Sequence, residues 1–132
     1  MKPRTRLRDE RGQSLTEFAI LAPLLLLLIF GIFDLGRMFY GTLHLQMAAQ
    51  ETVRLGGLGR SDADIAAFAR NYIHLPEADS ASVTITPSQS MRESGDYVTV
   101  RLEVPHHFLT PMIDNLFPGV GSLSAQSTIR VE

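Results

Sequence analysis

Apolar side chains fill one long block near the start of the chain. Phe18 to Phe33 reads FAILAPLLLLLIFGIF, sixteen residues without a charged or strongly polar side chain. At about 1.5 Å per residue, a helix of this length covers roughly 24 Å, slightly less than the roughly 30 Å of a bilayer's hydrocarbon layer. Continuation past Asp34 to Phe39 is expected to supply the remainder. The block therefore predicts a transmembrane helix.

Two other interpretations of this block remain open. A core helix of a soluble protein is also apolar, although five consecutive leucines, Leu24–Leu28, leave no polar face. A secretory signal peptide has a similar basic leader and apolar block. However, no A-x-A cleavage site follows here, and the charged stretch Asp34–Arg37 suits a signal peptide poorly. We favour the membrane span.

Charged residues follow the block directly. Asp34 and Arg37 lie three apart on one helix face, so we expect them to pair and to shelter each other. Arg37 can also extend towards the lipid head groups, with Tyr40 as an interfacial anchor. Inside the block, Pro23 removes a backbone donor and predicts a kink, which neighbouring helices can accommodate in lipid.

Helical periodicity continues to about Leu58. Apolar or small residues recur there at three- and four-residue spacing, at Leu35, Met38, Thr42, Leu45, Ala49, Thr52 and Val53. The glycines at 56, 57 and 59 predict the helix end, because glycine readily adopts the left-handed closing conformation. Ser61 is a suitable N-cap for a second helix to about Ile73, with Asp62 and Asp64 serving its N-terminus.

Three segments with two-residue alternation come next and predict strands. The first contains Val83 and Ile85, the second covers residues 98–104, and the third covers residues 125–131. Turn-like residues 88–95 join the first two as a hairpin, and a short helical piece is expected at Met112–Leu116. The chain is therefore predicted to be α+β: a long N-terminal transmembrane helix that extends out of the membrane, a second short helix and a small three-stranded antiparallel sheet.

The distribution of charge predicts an orientation. Residues 1–12 hold five of the twelve basic residues, whereas the chain after Met38 carries six basic and ten acidic residues. By the positive-inside rule, the N terminus is expected in the cytoplasm and the C-terminal domain outside the inner membrane. The net charge of −2 does not suggest a nucleic-acid partner. With no cysteine, the small outer domain has no disulfide, so the long helix or a partner must complete its core.

An acidic residue stands at the start of the apolar block, five positions after a glycine that ends the basic leader. The stretch reads Arg11-Gly12-Gln13-Ser14-Leu15-Thr16-Glu17-Phe18. A carboxylate at the edge of a membrane helix is costly without a partner. Alone, Glu17 is as well explained by pairing with nearby arginines in the head-group layer. Together with the following EFAILAPLLLLLIFGIFDLGR, however, this stretch resembles a prepilin-type signal and the TadE-like family of the tight-adherence pilus system.

The resemblance implies a pilin-like subunit and a processing event. A prepilin peptidase would cut between Gly12 and Gln13, and Glu17 would become the fifth residue of the mature chain. By the same resemblance, Glu17 would neutralise the new α-amino group of a neighbouring subunit. Phe18, Pro23, Asp34 and Arg37 belong to the same pattern and are candidate assembly residues. The implied partners are the prepilin peptidase, related pseudopilins or pilus assembly proteins, and the lipid bilayer.

No motif indicates catalysis, a metal or a cofactor. His106 and His107 are adjacent, so on a strand they point to opposite faces and cannot share one metal ion. His44 and His74 have no spaced partner of the H-E-x-x-H kind, and no G-x-S-x-G elbow is present. We therefore expect surface or packing histidines and no enzyme.

The sequence thus predicts three parts: a basic cytoplasmic leader, residues 1–12, that is cleaved; a transmembrane helix with an extramembrane extension, 13–59; and a small exported α+β domain, 60–132. The favoured function is that of a TadE-like pseudopilin or assembly factor for Flp-type pilus biogenesis. The alternative is an unprocessed single-pass membrane protein whose outer domain binds an envelope ligand or a secretion component. A cleaved, secreted enzyme is a third, less favoured possibility.

Overall fold

One helix dominates the structure. The computed structural model describes the backbone of residues 6–132 and the side chains of residues 12–132 except Asp114. Helix α1 spans Arg6–Gly57, 52 residues, with Pro23 inside it. Within this part of the chain, α1 is the one helix long and apolar enough to cross a membrane, and only 6% of its most apolar stretch is buried. A core helix of a soluble protein would be covered, so this bareness argues against that interpretation.

The predicted leader is only partly visible. Lys2 and Arg4 lie outside the described residues, as do the side chains of the other leader residues. The backbone of α1 runs through Gly12 without a break. The structure therefore leaves the predicted boundary at this residue, and its cleavage, as predictions.

The predicted end of α1 is confirmed. Leu58 N–H donates to Arg54 O at 3.1 Å, and Arg60 N–H donates to Leu55 O at 3.0 Å. Gly59 reverses the chain at φ +71°, a value that side chains with a Cβ rarely adopt. The chain then turns straight into the next helix.

Helix α2 spans Asp62–Tyr72, and the predicted cap is confirmed because Ser61 Oγ accepts from Asp64 N–H at 3.1 Å. Ile65 and Ala69 form its buried side. Asp62 does more than the sequence predicts: its carboxylate pairs with Arg92 and accepts from Gln89 N–H at 3.0 Å. It thereby ties the connection between the first two strands to the start of α2.

The three predicted strands form one antiparallel sheet in the order β1–β2–β3. Strand β1 spans Ser82–Thr86, β2 spans Tyr97–Pro105 and β3 spans Ser122–Arg130. Leu102 in the central strand is opposite Val83 on one side and Ala125 on the other. The alternation predicted for β2 is confirmed by its four buried residues, Val98, Val100, Leu102 and Val104.

Two details of the sheet differ from expectation. Strand β3 begins three residues before the predicted segment, so Leu123 joins the buried row. Ile129, on the same row, is 36% exposed because it lies where α1 ends. Between β2 and β3, the short helix α3 covers Ile113–Leu116, close to its predicted position.

The outer half of α1 packs along the sheet and supplies part of its core. Leu123, at the start of β3, lies directly on Gly41, and Ile129, at its end, lies on Gly57. Strand β3 therefore runs beside α1 in the same direction. The helical side of the core consists of Leu45, Ala48, Ala49 and Val53, with Ile65, Ala69 and Ile73 from α2 and its end.

The predicted apolar stripe is wrong in its first part. Leu35 is 65% exposed and Thr42 is also exposed, whereas Ala48 and Gly56 are buried. Met38, also in the predicted stripe, is half-buried against the core, and Leu123 of the sheet covers α1 at Gly41. The prediction that the long helix completes the core of the small domain is confirmed.

Close packing at Gly56 gives the first prediction. A Cβ at this position would lie 3.1 Å from Val98 Cγ1, so Gly56→Leu should overpack the core and lower the free energy of unfolding by about 1–3 kcal/mol. Thermal unfolding of the full chain in detergent, followed by circular dichroism, measures this. Gly36→Leu is the control, since no atom lies within 4 Å of its Cβ position. Equal stability of the two variants would contradict the packing.

Candidate functional site

Asp34, the first charged residue after the apolar block, is 2% exposed. Its carboxylate accepts from the backbone N–H of Leu109 at 2.8 Å, from the N–H of Thr110 at 2.7 Å and from Thr110 Oγ1 at 2.6 Å. Bonds to an ionised acceptor are stronger than neutral ones. These three bonds attach α1 to a loop more than seventy residues further along the chain.

Arg37 supports the same attachment from the next turn. Its Nη1 donates to His107 O at 3.3 Å and lies 3.8 Å from Asp34 Oδ1. The predicted pair exists, but its separation is long. Arg37 and the loop of the outer domain cover Asp34 together, and the loop makes the shorter contacts.

The contact between Asp34 and the loop also affects where the predicted membrane span can end. The stretch past Asp34 to Phe39 was expected to complete the hydrocarbon crossing, but Leu109 and Thr110 occupy one side of the helix at Asp34. On that side, a membrane around α1 would meet protein and not the bare helix at Asp34. We call the connection between β2 and β3, residues 106–121, the basal loop, because it lies at the end of the domain nearest the apolar block.

A cleft of about 190 Å³ lies beside the attachment. One wall is formed by Arg37, Tyr40 and Gly41 of α1, and the remainder is formed by His74, Leu75, Pro76, Glu77, Val104, Pro105, His106 and Leu123. The lining is mainly apolar, with charged groups at Arg37 and Glu77. Its size suits one side chain of another molecule, or a small ligand, better than an extended substrate.

His106 is the buried polar group of this cleft. It is 5% exposed, and its ring meets that of Phe108 edge-on with 5.0 Å between ring centroids. Its Nε2 has no hydrogen-bond partner among the described residues. Burial, reinforced by the nearby Arg37 charge, lowers the pKa of His106 below its usual value. His107 is exposed. Both histidines follow the end of β2 at Pro105, so they differ in burial without lying on a strand.

The remaining histidines meet in a way that the sequence did not predict. His74 N–H donates to His44 Nε2 at 3.1 Å, and the His44 ring stacks between those of Tyr40 and Tyr72. The lone pair of His44 Nε2 is therefore directed at a backbone amide. Among the side chains that the structure describes, no group of three or more His, Asp or Glu residues could hold a metal ion.

The predicted processing and assembly residues fall into two separate groups. Gln13 Nε2 donates to Glu17 Oε1 at 3.1 Å, and Thr16 Oγ1 donates to Gly12 O at 2.9 Å, all on the exposed first turns of α1. Phe18 and Pro23 follow on the same bare helix, and Phe18 is 68% exposed. At 1.5 Å per residue, Asp34 lies about 25 Å beyond Glu17 along the helix axis, and Arg37 lies on the next turn.

Sequence reasoning missed the loop residues that complete the site. Nothing in the sequence pattern links Thr110 to Asp34, 76 positions away. The one available signal was Asp34 itself, because a carboxylate beside a membrane span needs a partner.

Comparison with known proteins gives one match. Residues 12–54 match the family of TadE-like proteins, which confirms the predicted resemblance for this third of the chain. The match associates the chain with the tight-adherence pilus system and includes both groups of predicted residues. No curated protein matches significantly. No solved structure matches significantly either.

Substitution of Asp34 should detach the basal loop. Asp34→Asn keeps the size but removes the charge, and its NH₂ group replaces one of the two accepting oxygens, so either Leu109 N–H or Thr110 N–H loses its acceptor and faces a donor instead. We expect the amides of these two residues to exchange hydrogen much faster, and the domain to lose about 2–5 kcal/mol of stability. Hydrogen exchange read by mass spectrometry measures the first effect, and urea unfolding the second.

Asp64→Asn is the matched control, because Asp64 is exposed and interacts mainly with the N-terminus of α2. Loss of the Asp64 charge should lower the free energy of unfolding by at most about 1 kcal/mol and leave hydrogen exchange in the basal loop unchanged. Equal effects of the two substitutions would show that the Asp34 bonds do not hold the loop.

Burial of His106 gives a pH dependence. The unfolded chain binds a proton at this residue near pH 6.5, and the folded domain binds it only at a lower pH. Its stabilising contribution is therefore fully present above about pH 6.5 and is lost as pH falls through the folded pKa. Urea unfolding between about pH 7.5 and 5.5 should show a slope that His106→Phe reduces. His107→Gln, at the exposed neighbour, should keep the slope; identical slopes in both variants would contradict this assignment.

Proposed function

We propose that this chain is a TadE-like pseudopilin or assembly factor of a tight-adherence, Flp-type pilus, anchored in the inner membrane. In this proposal it acts through contacts between subunits and not through a chemical reaction. The proposal starts from the TadE-like match at residues 12–54. Its partners are a prepilin peptidase and other pseudopilins or pilus assembly proteins.

The division of α1 into two unlike halves is the observation that carries the proposal. The outer half belongs to the core of the α+β domain, whereas the half that precedes Asp34 is almost bare. Such an apolar surface needs a cover, either lipid or the same helices of neighbouring subunits. A subunit that exchanges one cover for the other can leave the membrane to join a helical bundle.

The orientation follows from the charges. The basic leader would remain in the cytoplasm, and the domain that follows Met38, with more acidic than basic residues, would lie in the periplasm. The leader and the domain would then face the two compartments in which pilus subunits are processed and assembled.

Processing requires a local change in α1. The peptide bond between Gly12 and Gln13 lies within the helix, and Thr16 Oγ1 also bonds to Gly12 O. A peptidase needs extended backbone, so this turn must unwind before cleavage. Glycine makes the change easier, because it is about 1 kcal/mol less favourable in a helix than alanine.

Glu17 would act after cleavage. The new α-amino group on Gln13 has an ordinary pKa of about 8 and is mainly positive at neutral pH. Glu17 Oε1 already accepts from the Gln13 side chain, which holds the carboxylate on the exposed helix surface. From there it can reach the amine of a neighbouring subunit that is displaced along the bundle axis. The pair would remove two isolated charges from an apolar interface.

The cleft beside Arg37 favours the alternative, an unprocessed protein whose outer domain binds a ligand or a secretion component. The mass of the mature protein separates the two proposals. Loss of residues 1–12 supports the pseudopilin, whereas an intact chain supports the alternative. Loss of the whole apolar block would indicate a secreted protein and contradict both.

Cleavage is the next prediction. Co-expression with a prepilin peptidase should shorten the protein by its first twelve residues, so that the mature chain begins at Gln13. Gly12→Val should block this, because a branched side chain cannot fit where the peptidase accepts glycine. Intact-mass and N-terminal sequencing measure the product. Gly31→Val, in the bare part of the helix, is the control and should be processed normally. Any other N terminus would contradict the assigned site.

The last prediction of this section is that Glu17→Gln weakens assembly without affecting insertion. A charge-assisted contact is worth about 1.5–3 kcal/mol, so association should fall roughly ten- to hundredfold. Pull-down of the mature protein with co-expressed pseudopilins measures association, and membrane fractionation measures insertion. Glu51→Gln is the control, since Glu51 is exposed on the outer half of α1 and pairs with Arg54. Normal assembly of the Glu17 variant at native expression levels would disprove the role.

A further inference from the structure

The basal loop exposes an unusual number of large apolar side chains. Residues 108–121 read FLTPMIDNLFPGVG and contain a single charged residue. The exposed apolar residues, most of them more than half exposed, are Leu109, Met112, Leu116, Phe117 and Val120. Elsewhere in the described part of the outer domain, exposed residues of this kind are scattered singly, as at Met91 and Tyr97. An apolar group of this size on one loop indicates a surface that another phase or molecule covers.

The position of the loop identifies that cover. Strand β3 starts beside Gly41 and ends beside Gly57, so the sheet extends along α1 away from the apolar block. The basal loop projects from the end of the sheet that is nearest the apolar block, and it is attached to Asp34. Asp34 directly follows Phe33, the last residue of the uncharged block. Leu109 therefore lies beside the end of the bare apolar surface of α1, and the other exposed side chains follow it on the same loop.

The length of the uncharged block places the surface of the bilayer at the level of the basal loop. Sixteen residues cover about 24 Å, and the hydrocarbon layer is about 30 Å thick. Glu17 limits extension at the other end of the block. Residues at or beyond Asp34, beside the basal loop, must therefore cross part of the remaining hydrocarbon thickness.

The polar side chains around the basal loop also suit a position at the surface of the bilayer. Arg37 is about one-third exposed at its side chain and Tyr40 is 62% exposed, both on the first turns after Asp34. Arginine and tyrosine are favoured in the interfacial layer, where the polar end of the side chain meets head groups. The face of the sheet away from α1, in contrast, carries polar pairs such as Thr99 with Thr128 and Ser122 with Glu103.

We propose that the basal loop is a membrane foot, which inserts Leu109, Met112, Leu116 and Phe117 into the outer interfacial layer of the bilayer beside α1. The inference rests on the membrane anchoring in the proposed function. Two points of contact, the span and the foot, fix the tilt and the rotation of the outer domain on the membrane. Asp34 determines where the foot sits, and the foot in turn excludes lipid from the Asp34 carboxylate.

Single tryptophans test the foot directly, because the chain has no tryptophan of its own. The full-length protein is reconstituted in two sets of phosphatidylcholine–phosphatidylglycerol vesicles, one with bromine on the acyl chains close to the head group and one with bromine deeper in the chains. Three variants at exposed positions are compared: Leu25→Trp in the span, Phe117→Trp in the foot, and Tyr97→Trp at the opposite end of the sheet. Circular dichroism checks that each variant is folded.

We expect brominated lipid to reduce the emission of F117W by about half relative to ordinary lipid, because interfacial segments lie about 5–10 Å into the head-group and acyl boundary. Y97W should keep its emission, and L25W should be quenched more by bromine placed deeper in the chains. Quenching of L25W and F117W, but not of Y97W, supports the foot.

The other outcomes overturn it in distinguishable ways. If L25W is quenched and F117W behaves like Y97W, the span inserts and the foot does not exist. If the emission maximum of F117W shifts to shorter wavelength only at high protein density, and bromine does not quench it, the loop is an interface with a second copy of the chain. If L25W itself is not quenched, the membrane anchoring fails, and the foot fails with it.

Discussion

The carboxylate of Asp34 is the constraint on which the arrangement of this protein depends. It joins the long helix to the basal loop through three short hydrogen bonds at the point where the apolar block ends. A buried charge is stable only when donors satisfy it, and here two backbone amides and a hydroxyl do so. The bond therefore sets the distance and orientation between the apolar half of α1 and the outer domain.

A second constraint is the small size of the outer domain, which has no cysteine to stabilise it. The core closes only because α1 contributes Leu45, Ala48, Ala49 and Val53 to it. Alanines and glycines on this side of α1 bring the helix close to the sheet, and Gly56 lies against Val98. Dense packing of this kind compensates for a small buried area. One helix thus contributes to the core and also carries the apolar stretch that is long enough to cross a membrane.

Three features of the outer domain lie together at its base. The cleft with His106, the attachment at Asp34 and the exposed apolar residues of the basal loop all lie at this end. The far end consists of the close packing around Gly56 and the loop tied by Asp62 and Arg92. The base of the domain also lies next to the exposed apolar half of α1.

Periodicity by itself determined the elements of this protein. Alternation placed the buried row of β2, Ser61 and the glycines after Val53 marked the helix ends, and the uncharged block with Gly12 and Glu17 identified the TadE-like segment. These features are local, since they depend on neighbouring side chains. Only the tertiary structure decided that Asp34 binds Leu109 and Thr110, that His44 meets His74, and that Leu35 stays exposed. Such contacts depend on where the chain returns to the helix, and no local pattern encodes a partner more than seventy residues away.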